Sequence, residues 1–190
     1  GGAVVSDDTR FRAALAVLPR NLQKMFVHAY QAYLFNLIVS RRLERGLPFK
    51  EALVGDVVCY HDERGLPDPA RVERVTAAKV DAINRLIRHG RAFVTAPLIG
   101  SATAFAEGEE GELEHEVLAT EAVRLPDFQL GTLPELSSAG NRRPVLVPVT
   151  VTRSGLVEDD RNPGRLSVRL DFFLPRGSYA TVVLREYTKR

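Results

Sequence analysis

Cysteine is almost missing from this chain: Cys59 stands alone in 190 residues, so no disulfide can form within it. It sits in the apolar run Val57-Val58-Cys59-Tyr60 and reads as a small buried hydrophobe. A cytoplasmic location is the expectation for such cysteine usage. No run approaches the ~18 apolar residues that a spanning helix needs. The start, Gly1-Gly2-Ala3-Val4-Val5-Ser6-Asp7-Asp8, has no basic leader before an apolar core, so no secretory signal is expected. It also lacks an initiator Met, which suggests a processed chain or a piece of something longer.

Histidine is scarce as well. His28, His61, His89 and His115 are scattered with no pair at ligand spacing, and we expect no metal site. His61-Asp62-Glu63 reads as a polar turn. A phosphate-cradling glycine loop is absent, because Gly108-Glu109-Glu110-Gly111 is acidic and would repel phosphate. Ser137, Ser138 and Ser178 have no His/Asp pattern beside them, which removes support for serine hydrolysis.

What is present suits a packed domain: 45% hydrophobic and 26% charged residues. Net charge is only +2 but uneven. Residues 141–190 carry ten Lys/Arg against five Asp/Glu, whereas residues 107–121 hold seven Glu and no Lys or Arg. Arginine supplies 22 of the 26 basic residues, and its planar fork grips phosphate in a way lysine does not. Codon bias or thermal adaptation gives the same preference, so this feature alone leaves a nucleic-acid partner and a bland origin both open.

A short helix capped by Ser6 or Asp7 is expected to stop at Pro19. A long helix over 21–45 follows, with Leu22, Met25, Phe26, Ala29, Tyr30, Tyr33, Leu34, Leu37 and Ile38 spaced as its buried face. Arg41, Arg42 and Arg45 would complement its C-terminal dipole, and Gly46 would end it. Strands are expected at 56–60, 71–75 and 92–95, with a helix between Thr76 and Gly90. A further helix over 112–123 would carry structural glutamates. Residues 143–152 read as one edge or bulged strand, because Pro144 and Pro148 cannot donate to a ladder. Residues 153–164 read as a polar loop. Leu166, Val168, Leu170 and Phe172 then alternate inward, and a final helix closes the chain.

The most informative stretch is Phe172-Phe173-Leu174-Pro175-Arg176-Gly177-Ser178-Tyr179, followed by a helix carrying Arg185 and Glu186. A strand, a Pro/Gly turn, a Ser placed to cap a helix and an aromatic ring follow one another among cations. Arginines can anchor phosphates while a ring stacks on a base. A solvated helix with Tyr179 in the core fits the same residues.

Four segments decide between these readings. His28-Ala29-Tyr30-Gln31-Ala32-Tyr33-Leu34-Phe35-Asn36, Gly55-Asp56-Val57-Val58, Gly140-Asn141-Arg142-Arg143-Pro144 and residues 174–189 resemble, in order, the TruD family of tRNA pseudouridine synthases, archaeal type. The resemblance implies an α+β fold: a mixed sheet with flanking helices, in which an inserted α/β domain interrupts a catalytic domain. Residues 1–19 would be an N-terminal segment, 20–147 the inserted domain, and 148–190 the C-terminal strands and helix of the catalytic domain. The implied activity is isomerisation of a tRNA uridine, at position 13, to pseudouridine, with no cofactor and no metal. An aspartate drives loss of the uracil from its ribose, and the ring turns and rejoins through carbon. The base must leave its stack to be reached.

The family's nucleophile lies in a Gly-Lys-Asp segment upstream of everything matched, and this chain has no such tripeptide. Asp56, Asp127 and Asp171 stand in other contexts. No catalytic residue is therefore expected here, and the 190 residues alone are expected to convert no uridine. Binding apparatus is implied instead. Tyr179 would face the substrate base, Gly177 and Ser178 would aim it, and Arg185 would support the nucleophile or a phosphate. Arg142, Arg143, Arg176 and Lys189 would hold the tRNA backbone, and Phe35 and Asn36 would serve structure. A non-catalytic RNA-binding module and a plain structural domain are the alternatives. Oligomeric state is left open.

Overall fold

The computed structural model describes residues 13–175 and 177–188. The start of the expected short helix, Arg176 and Lys189 lie outside the described residues; residues 13–16 are helical. The elements are α1 (Arg20–Glu44), β1 (Val57–His61), β2 (Pro67–Arg74), α2 (Val80–Arg88), β3 (Ala92–Leu98), α3 (Gly108–Thr120), β4 (Asn141–Pro144), β5 (Thr150–Glu158), β6 (Leu166–Phe173) and α4 (Ala180–Thr188), with two 3-10 turns at Leu125–Phe128 and Pro134–Leu136. A four-stranded sheet has the order β2-β1-β3-β4, and β5 and β6 form a separate two-stranded sheet. The fold is α+β, as expected.

The chain forms two compact units. One holds the residues up to Pro48 with Val54–Asp56 and Ala96–Arg143; the other holds Phe49–Leu53, Val57–Thr95 and the residues from Pro144 on.

In the first unit α1 packs on α3; Leu34 and Ile38 of its expected buried face are buried, but the part of that face up to Tyr33 is turned outward. Met25 and Phe26 are more than half exposed, and Leu22, Tyr30 and Tyr33 are also open to solvent. The buried side is Gln23, Gln31, Leu34, Phe35, Ile38 and Arg42. Hydrophobic spacing alone favoured the aromatic stripe. The fold buries the stripe beside it because Gln31 and Arg42 find polar partners there, which removes the usual cost of burying them.

In the second unit Ala52, Val58, Val75, Ile83 and Val94 form a core, with Val80, Ile87 and Val145 packed against it. β1 pairs antiparallel with β2, with a bulge between Cys59 and Tyr60, and antiparallel with β3 on its other side. Asn84 clips the 49–53 segment: its Oδ1 accepts from the Ala52 N–H at 2.7 Å and its Nδ2 donates to the Ala52 carbonyl at 3.0 Å.

The expected single strand over 143–152 is two. β4 ends at Pro144 and β5 begins at Thr150, with Pro148 in the break; neither proline can donate a ladder hydrogen bond. The expected polar loop is shorter too, because β5 runs on to Glu158 and pairs with β6 in an antiparallel hairpin. Asp159 closes the turn, its N–H bonded to the Arg165 carbonyl at 3.0 Å. The alternation of Leu166, Val168, Leu170 and Phe172 is real, but only its second half is covered: Leu170 and Phe172 are half-buried, whereas Leu166 and Val168 are 65% and 64% exposed. Leu156 pairs with Val168 on that face and is equally open.

Candidate nucleic-acid interface

The turn after β6 sets the candidate site in the second unit. Gly177 adopts φ +85, a left-handed backbone that favours glycine. The Ser178 N–H bonds back to the Pro175 carbonyl at 3.1 Å, and the Val182 N–H bonds to the Tyr179 carbonyl at 3.1 Å, so the chain passes from strand to α4 within one turn. Pro175 is buried beneath it. Tyr179 is 57% exposed at the corner, Ser178 is half-buried, and Arg185 is exposed one and a half turns along α4. The aromatic ring is thus presented to solvent rather than packed in the core. α4 contributes no buried residue of its own, and Val182, Leu184 and Tyr187 are also exposed.

Arg142 and Arg143 belong to the first unit and behave differently from each other. Arg142 is only 8% exposed; it donates to Glu114 Oε1 at 2.8 Å and to the Ala104 carbonyl at 3.1 Å. Its guanidinium works inside the fold. Arg143 is half-buried and lies over the Phe35 ring, 5.3 Å from the centroid. Phe35 itself is buried and Asn36 exposed.

Of the aspartates considered from sequence, Asp56 and Asp127 are tied into the fold by their side chains. Asp56 is buried and receives two hydrogen bonds from Arg42, at 2.9 and 2.8 Å. Asp127 caps a 3-10 turn through the Arg124 N–H at 2.8 Å, and that contact first, then the Arg124 side chain, holds its carboxyl below the usual range. Asp171 stands opposite Arg153 in the hairpin register. Cys59 is fully buried, and burial pushes its thiol up to about 11, so it is no nucleophile at neutral pH. No group of three His, Cys, Asp or Glu side chains is placed to hold a metal among the described residues, and no described helix is long and apolar enough to cross a membrane.

Sequence reasoning missed the buried polar ties of the first unit. Beyond complementing the helix dipole, the Arg42 guanidinium joins Asp56, Glu110 (2.8 Å) and the Pro48 carbonyl, with 0% exposure. Gln31 Nε2 donates to the Ile99 carbonyl at 2.6 Å and to Ser138 Oγ at 2.8 Å. Glu114 takes Arg142 on one oxygen and the Ala106 N–H on the other. The signal available was polar residues spaced along α1 at helical steps, Gln23, Gln31 and Arg42, out of phase with the aromatic stripe.

Parts of three of the four segments singled out from sequence therefore meet in the first unit: Gln31 reaches the stretch before Gly140, Arg42 reaches Asp56, and Arg142 reaches α3. Close backbone contacts lock them. A Cβ on Gly55 would overlap the Glu107 carbonyl, and one on Gly100 would overlap the Gly140 backbone. Such convergence is what a shared family architecture requires, and comparison with known proteins bears on it directly. The profile of the family described as tRNA pseudouridine synthase D (TruD) matches residues 3–187. This chain belongs to the TruD family.

Its relatives agree. A Methanosarcina acetivorans protein named "Probable tRNA pseudouridine synthase D" is 49% identical over 186 residues, covering 98% of this chain and 42% of the relative. One of the same name from Natronomonas pharaonis is 50% identical over 169 residues, covering 89% of this chain and 36% of the relative. A crystal structure described as that of the "Putative tRNA pseudouridine synthase D (TruD) from Methanosarcina mazei" superposes with a TM-score of 0.81 at 50% identity, covering 92% of this chain and 40% of that one. The chain thus spans about 42% of the length of curated TruD relatives.

Proposed function

We propose that this chain is the substrate-gripping part of a tRNA pseudouridine synthase that isomerises a tRNA uridine, at position 13, to pseudouridine. The observation that carries the reading is Tyr179, an aromatic ring held out to solvent at a glycine-set turn in a chain of this family. A ring in that position can lie against a uracil that has left its stack. Ser178 and Gly177 fix its direction, and Arg185 on the following helix supplies positive charge for a phosphate or a nucleophilic carboxylate. Arg143, Arg176 and Lys189 are assigned to the tRNA backbone. Arg142 is assigned to the fold instead, because its cation is tied to Glu114.

In this proposal residues 148–190 contribute the hairpin and helix of the catalytic domain, and 20–147 the inserted domain. The uncovered apolar face of β5–β6 and the absence of buried residues in α4 suit elements that pack against more polypeptide. An aspartate in a Gly-Lys-Asp context breaks the glycosidic bond, and the detached ring turns while Tyr179 holds it, then rejoins through carbon. No such tripeptide occurs in the 190 residues, so they convert no uridine alone.

The test is pseudouridine formation in a tRNA transcript. A longer protein that also carries a Gly-Lys-Asp segment is expected to convert one uridine, the 190-residue chain none. Conversion by the chain alone, or none by the longer protein, overturns the proposal.

A further inference from the structure

A second aromatic and cationic feature lies in the same unit as Tyr179 but on different elements. A groove of about 430 Å³ is bounded by the end of α2, by β3, and by the segments around Phe49 and Leu146. That volume falls in the ~300–1,000 Å³ range of small-ligand sites. Its walls are apolar, with Phe49 and Phe93 half-buried along them. Two cations, Lys50 and Arg88, line it from separate segments, and no lining residue is acidic. Both are exposed, and neither is held by a carboxylate among the described residues, whereas Arg41, Arg45, Lys79 and Arg124 all are. Arg85, on the same helix end, and Arg91, just beyond it, add positive charge.

Arginines in the last turn of α2 are accounted for in part by the helix dipole. The dipole does not account for Lys50, which comes from another segment, nor for two phenyl rings flanking the same cavity. Rings plus unpaired cations without carboxylates match a nucleotide, whose base stacks on an aromatic face and whose phosphate takes a cation. The family is described as tRNA pseudouridine synthase D, so an RNA strand is the partner this lining fits. We infer that this groove takes one unpaired nucleotide of that strand, its base against Phe49 and Phe93 and its phosphate between Lys50 and Arg88. The inference rests on the proposed RNA partner and adds a contact separate from the Tyr179 corner.

The probe is fluorescein-labelled octauridylate, titrated into the 190-residue chain and into the Lys50→Ala/Arg88→Ala double variant. Both substitutions are at exposed positions, so thermal unfolding serves as the fold control. Removing both cations from that one phosphate should weaken binding about tenfold or more and flatten the log–log salt slope by roughly 0.7. Ultraviolet crosslinking should attach the oligonucleotide to Phe49, Phe93 or Leu146. Equal affinity and slope in the double variant, crosslinks only elsewhere, or no binding of octauridylate at all overturn the inference. So does a dimer in sedimentation that Leu146→Asp dissociates while octauridylate binding is unaffected, which assigns the groove to a second copy. Isomerisation by the longer protein is a separate readout: its loss strikes the proposed function, whereas its persistence beside any of these failures strikes the groove alone.

Discussion

At the scale of single residues, Tyr179 and Glu110 stand at opposite extremes of environment. Tyr179 is 57% exposed at its turn, and in the proposal its ring stacks on a base. Base stacking is worth ~1–3 kcal/mol, so in a catalytically competent longer protein Tyr179→Ala should lower turnover on tRNA by roughly 5- to 150-fold. Tyr179→Phe, which keeps the ring, should retain most of it, and neither should move the melting temperature appreciably. Single-turnover rates on a tRNA transcript check this. Glu110 is 2% exposed, and its Oε1 has no hydrogen-bond partner among the described residues. Burial pushes its carboxyl up to about 7 despite the pull of Arg42, with Glu114 and Asp56 adding to the rise. The folded chain therefore keeps a proton on Glu110 that the unfolded chain gives up near the ordinary value of 4.5. Stability from this group is greatest below pH 4.5 and falls as pH rises to about 7, where the loss is complete. Glu110→Gln should remove that decline, which melting curves between pH 4.5 and 7.5 would reveal as a smaller pH dependence than in the parent chain.

At the scale of elements, the buried arginines decide which helix faces meet. Arg42 joins α1 to α3 through Glu110, and to the residue before β1 through Asp56. Removing one partner of a buried ion group leaves uncompensated charge, at a cost of about 3–5 kcal/mol. Arg42→Met should therefore lower unfolding free energy by that order in urea titration, although a methionine fills much of the same space. This tie also explains why the apolar stripe of α1 misled. Tyr30 stacks on Tyr33 and on Phe128 at ring separations of 6.0 and 6.5 Å, at the surface, while the neighbouring stripe with Gln31 and Arg42 goes inside. The strength of a pattern of apolar residues does not say which of two adjacent stripes will be covered; the availability of Asp56, Glu110 and Ser138 across the interface does. The hairpin makes the complementary point. The alternation from Leu166 to Phe172 marks β6 correctly, and its pairing with β5 follows, yet side-chain alternation specifies two faces and not which one has a neighbour.

At the scale of the molecule, the proposal separates binding from chemistry. The 190 residues are expected to hold tRNA with an affinity that falls as salt is raised and to form no pseudouridine; filter binding from 50 to 300 mM salt beside a pseudouridine assay tests both halves. A salt-independent affinity would remove the phosphate contacts from the proposal. Legibility followed the range of the interactions concerned. The sequence determined the family, because residues 28–36, 140–144 and 174–189 carry local signatures that survive without coordinates, and it determined most helices and strands, because capping, turn glycines and hydrophobic period act over a few residues. The exposure of Tyr179 was decided only in three dimensions, as were the withdrawal of Arg142 into a bond with Glu114 and the placing of Lys50 beside Arg88 and Phe93. Each depends on segments tens of residues apart, and burial, which sets whether a charge meets water or a partner, is a property of their packing and of no single stretch of chain.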